Sequence, residues 1–93
     1  MAHTFEELVE MQRAADAAHD KVEQLRAQYG SPTAHPWSEQ QTTTYETAWR
    51  AWRDLARDVQ AAVTEHAKDQ RQQRNSVEAD LKKAVRHSEG PDA

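Results

Sequence analysis

A chain of 93 residues with a net charge of −4 has room for one small domain. Its 37% apolar content is mostly alanine, 16 residues of it, while Leu, Val and Phe together supply only 11 and Ile none. With two Gly and three Pro as well, the composition all but excludes β and α/β folds and a large pocketed enzyme, and points to an all-α chain with a thin core.

The absence of cysteine removes disulfides and thiolate metal sites. The opening residues Met1 to Glu10 are acidic and lack the basic and apolar regions of a signal peptide. Apolar runs stay as short as Ala61-Ala62-Val63, far below the ~20 residues that span a bilayer. The expectation is a soluble cytoplasmic protein that makes no membrane contact.

The first helix is expected over residues 4–29. Thr4-Phe5-Glu6-Glu7 has the form of a capping box, in which the Thr4 hydroxyl and the Glu7 carboxylate satisfy each other's backbone N–H. Glu6, Glu7 and Glu10 suit the positive end of the helix dipole. Tyr29-Gly30, with Pro32 two residues on, forms a stop signal, because Gly tolerates the left-handed cap conformation. Residues 30–37 hold two prolines and one glycine and read as the turn.

Ser38-Glu39-Gln40-Gln41 is a second capping box and opens a second helix, expected to run over residues 38–87. Asn75-Ser76-Val77-Glu78 offers a start for a separate third helix. The polar stretch 68–76 is rich in Gln and Arg, however, and these favour one long helix over a kink. Residues 88–93, with Gly90-Pro91, are expected to be a disordered tail of the single domain 1–93.

Leu8, Met11, Ala15, Ala18, Val22, Leu25 and Tyr29 alternate steps of three and four, as do Tyr45, Trp49, Trp52, Ala56, Val59, Val63 and His66. This is the ~3.5-residue repeat of coiled-coil packing, and it predicts an antiparallel, coiled-coil-like two-helix hairpin. Folding the chain between Thr33 and Ala34 sets Ala18 opposite Trp49, Ala15 opposite Trp52 and Leu8 opposite Val59. Large then faces small in several layers. In that register roughly twenty residues at the end of the second helix overhang the first, with Val77, Leu81 and Val85 in line as an apolar stripe. Charge changes there too: residues 1–67 carry −5 and residues 68–87 carry +3.

Candidate chemistry is sparse. Asp16, His19, Asp20 and Glu23 share one helix face, and a solvated polar face is the expectation there rather than a metal site. His66, on the seam, reads as a core-edge imidazole. No phosphate loop, nucleophile elbow or thiol nucleophile is present, so neither an enzyme nor a cofactor is expected. Tyr45, Trp49 and Trp52 read as core, and Trp37 either as a cap on the hairpin end or as an anchor for a partner.

The residues 49–63 (Trp-Arg-Ala-Trp-Arg-Asp-Leu-Ala-Arg-Asp-Val-Gln-Ala-Ala-Val) and 77–87 (Val-Glu-Ala-Asp-Leu-Lys-Lys-Ala-Val-Arg-His) resemble small uncharacterised helical proteins of high-GC actinobacteria and their mobile elements. That resemblance implies a helical fold and no activity. The secreted WXG-type hairpins differ, for Trp37-Ser38-Glu39 lacks their turn glycine and no Tyr follows Tyr45.

The functional expectation is a non-enzymatic module for helix-mediated protein–protein contact or self-assembly. It would form a homo-oligomer, such as a dimer, or bind a helical partner through Val77, Leu81, Val85 and Trp37. Ala14, Ala48, Leu55 and Ala62, beside the seams, would supply the second contact of a bundle. The alternative is a small nucleic-acid-associated regulator using Lys68, Arg71, Arg74, Lys82, Lys83 and Arg86.

Overall fold

The computed structural model describes residues 2–88 and contains three helices, with no strand among the described residues: α1 (Phe5–Tyr29), α2 (Glu39–Asp69) and α3 (Arg74–Ser88). Of the expected tail, Ser88 closes α3 and residues 89–93 lie outside the described residues.

Both capping boxes form. The Thr4 hydroxyl accepts from the Glu7 backbone N–H at 3.1 Å, and the Thr4 N–H donates to the Glu7 carboxylate at 2.8 Å. Ser38 and Gln41 repeat the arrangement at 3.0 and 2.9 Å. Two orphan amides at each helix start thereby find acceptors. At the far end of α1, Gly30 takes φ 76° and donates its N–H to the Arg26 carbonyl at 3.0 Å.

Helices α1 and α2 make the most extensive packing in the molecule. Phe5 at the start of α1 meets His66 near the end of α2, and His19 meets Trp52 further along, so the two run in opposite directions. Trp52 packs on the His19 ring and Phe5 on that of His66, while Leu8, Ala15, Val59 and Val63 share one buried cluster. Trp37 folds inward, donates its indole N–H to the Gly30 carbonyl at 2.9 Å, and sits edge-on between Tyr29 and Tyr45 at centroid distances of 5.5 and 5.0 Å. That aromatic layer closes the end of the helix pair at the turn.

The expected single helix over 38–87 breaks after Asp69. Gln72 N–H donates to the Ala67 carbonyl at 2.8 Å and Arg71 N–H to the Lys68 carbonyl at 3.3 Å, with Arg71 at φ 55°. This pair of bonds around a left-handed residue is the Schellman ending of a helix, here with arginine where glycine is usual. The chain turns and α3 packs on both α1 and α2. Val77, Leu81 and Val85 join Leu8, Ala15, Val59, Ala62, Val63 and Ala67 in one buried cluster, with Phe5, Val9, Met11 and Leu55 against it. The overhang is therefore corrected: its apolar stripe has its partner within the chain. Ala62 and Ala67, both off the α2 seam, are buried in the same cluster.

The molecule measures 50 × 32 × 18 Å. At 1.5 Å per residue, α3 is roughly 22 Å long, so it covers less than half of the α1/α2 pair. The covered half is a three-helix base. The other half is a two-helix tip, where Val22 and Leu25 are buried and Tyr29, Trp37, Tyr45 and Trp52 are half-buried.

Candidate functional sites: an aromatic tip and a cleft at the base

The tip carries the least-covered apolar surface. Trp49 is 38% exposed, the one exposed large hydrophobic residue among those described. Ala48, Trp52 and Leu55 occupy the same face of α2 at steps of three and four, each half-buried. The expectation that Trp49 is core is thus corrected, while Tyr45 and Trp52 are partly covered. At the tip only one helix opposes α2, and Tyr45, Ala48, Trp49, Trp52 and Leu55 form too wide a stripe for all of them to face it. The Arg53 guanidinium lies 4.9 Å from the Trp49 ring centroid and supplies a cation–π contact on its outer side. Arg50 approaches Glu46 at 4.0 Å and Arg57 approaches Asp54 at 3.9 Å, so charges of both signs rim this face.

The residues singled out as partner contacts are placed differently. Val77, Leu81 and Val85 are internal, and Trp37 is engaged by Tyr29, Tyr45 and Gly30. Among the secondary apolar positions, Ala14 is exposed, Ala48 and Leu55 are half-buried, and Ala62 is buried. Lys68, Arg71, Arg74, Lys82, Lys83 and Arg86 are all exposed. Arg74 is committed within the chain: it pairs with Glu78 at 2.5 Å, donates to the Thr64 hydroxyl at 3.0 Å and reaches the Gln60 side-chain carbonyl. These contacts pin the first turn of α3 to the outer face of α2.

At the base, the start of α1, the end of α2 and the inner face of α3 enclose an open cleft of about 700 Å³. His66 lines it and is only 8% exposed, the buried polar side chain of the structure's described residues. Its Nδ1 lies 2.8 Å from the His3 carbonyl oxygen and its ring 6.2 Å from that of Phe5. A carbonyl only accepts, so Nδ1 carries the proton and Nε2 of the neutral ring is an acceptor. The contact ties the residues before α1 to the end of α2. Sequence spacing placed His66 on the seam but held no sign of the cleft, which exists only because α3 folds back.

Two further groups have definite environments. Glu7 has its pKa lowered from the ordinary 4.5, chiefly because its carboxylate accepts the Thr4 backbone N–H, with the nearby His3 adding to the effect and partial desolvation opposing it. His19 approaches Glu23 at 3.7 Å and packs 4.8 Å from Trp52. Among the described residues no group of three or more His, Asp or Glu is arranged to hold a metal ion, and no helix is long and apolar enough to cross a membrane.

The chain matches no family model, no curated protein and no solved structure against which it was compared.

Proposed function

We propose that this protein is a non-enzymatic interaction module that self-associates through the α1/α2 tip, two copies joining into a coiled-coil-like bundle. The observation that carries this reading is the exposure of Trp49 on a face of α2 that α3 is too short to reach. Tryptophan and arginine are among the residue types enriched at interface hot spots, and here the Arg53 guanidinium lies over the Trp49 ring. Glu46 and Asp54 flank the pair Arg50 and Arg53 around it, so two copies related by a two-fold axis can bring opposite charges together from the same patch. The contact moves from the arm 68–87, where the sequence suggested it, to the tip, since the arm's apolar stripe is spent in the base.

Sedimentation equilibrium on the full chain tests this. Trp49→Asp should raise the dimer dissociation constant by about 100-fold or more, as hot-spot losses of roughly 3 kcal/mol do, and leave the helix content unchanged. A wild-type chain that stays monomeric at high micromolar concentration overturns the reading.

The nucleic-acid alternative keeps one observation in its favour. Lys68, Arg71, Lys82, Lys83 and Arg86 take no side-chain partner among the described residues. Binding to duplex DNA that falls steeply with salt, and is lost in Lys82→Glu/Lys83→Glu, would support it over the tip.

A further inference from the structure

We infer that the base cleft is a binding site for a small zwitterionic aromatic molecule, of the class of a free aromatic amino acid whose ring carries a hydrogen-bond donor. The site is distinct from the tip face and rests on different residues. Three features of the cleft define the ligand.

The first is His66. The imidazole is more than nine-tenths buried, its Nδ1 is occupied by the His3 carbonyl, and its Nε2 takes no partner among the described residues. Nε2 stays accessible to solvent within the cleft, and a ligand N–H or O–H entering there takes the place of water on it. The second is the apolar wall. Phe5, tilted at 50° to the His66 ring, and Val77 line the same cleft and offer an aromatic edge and a methyl surface to a flat ring. The third is charge. Asp80 and Lys83 both line the cleft from α3, three residues apart and hence neighbours on one helix face. Neither has an ion-pair partner among the described residues. A carboxylate and an ammonium side by side at the rim complement the ammonium and carboxylate of an amino acid.

A cleft of about 700 Å³ lies within the range of small-ligand sites, roughly 300–1,000 Å³. It leaves room for water around such a molecule. The donor on the ring distinguishes the ligand: phenylalanine would satisfy the wall and the rim but displace water from Nε2 without offering it a donor. A site built around a polar partner discriminates strongly against the analogue that lacks it.

The test is a titration of the full-length chain with L-tryptophan, followed by calorimetry and by NMR of the His66 ring and Val77 methyl groups. Expected are saturable one-to-one binding with shifts at both residues, affinity for L-phenylalanine weaker by roughly tenfold or more, and similar weakening for indole, which lacks the zwitterion. Lys83→Glu, at an exposed position, should weaken tryptophan binding by about fivefold or more without altering the helix content. Absence of saturable shifts at His66, equal binding of phenylalanine, or full affinity in Lys83→Glu would each overturn the inference.

Discussion

Leu81→Ala separates a docked α3 from a free arm most directly. Leu81 is 3% exposed, between Val77 and Val85 in the cluster shared by all three helices. Truncation removes three carbons, worth about 2.4 kcal/mol in transfer at ~0.8 kcal/mol each, and leaves a cavity whose cost adds to that. A loss of about 3 kcal/mol is expected, from a domain whose total stability should lie near 5–15 kcal/mol. In a chain of this length that corresponds to a fall in Tm of about 15 °C. The loss should not be spread evenly. An isolated 15-residue helix is marginal in water, so α3 should open before the tip, and amides of residues 74–88 should lose protection from hydrogen exchange while those of 15–29 keep it. Urea denaturation followed by circular dichroism gives the global figure, and exchange monitored by NMR gives the local one. Lys82→Ala, one residue along and facing solvent, serves as the control and should stay within about 0.5 kcal/mol of wild type. If Leu81→Ala also stayed within 0.5 kcal/mol, α3 would not be docked as described.

Arg71→Gly should stabilise the chain by about 0.5–1 kcal/mol in urea denaturation, because φ 55° suits glycine better than an L side chain; a loss of stability would show that the left-handed turn is not populated. Trp37→Phe keeps a ring between Tyr29 and Tyr45 but removes the bond to the Gly30 carbonyl, and should cost about 1 kcal/mol, measured by thermal denaturation at fixed protein concentration. Glu7, with its pKa lowered in the folded chain, contributes stability that is present in full above about pH 4.5 and lost as pH falls through the lowered value. The stability–pH curves of wild type and Glu7→Gln should therefore differ above that pH and converge below it. A constant difference down to acidic pH would rule out the carboxylate as the source.

Residues within four positions of one another were sufficient to locate most helix ends. Thr4 with Glu7, Ser38 with Gln41, and Gly30 are local devices whose partners lie within a single turn, and each appears where its residues stand. The buried positions of α1, Leu8, Ala15, Val22 and Leu25, could likewise be read from their three-and-four spacing. The end of α2 carries no such sign. Its Schellman turn has Arg71 where glycine would have marked it, flanked by Gln and Arg residues that are good helix formers. Locally, continuing the helix is cheaper by the roughly 1–2 kcal/mol that a left-handed arginine costs. The break prevails because turning back removes Val77, Leu81 and Val85 from water, at about 1.5–3 kcal/mol for each large side chain. That gain depends on surfaces far apart in the chain, so only the tertiary structure could decide it. The exposure of Trp49 and the cleft around His66 were decided in the same way, by where α3 lies and how far it reaches.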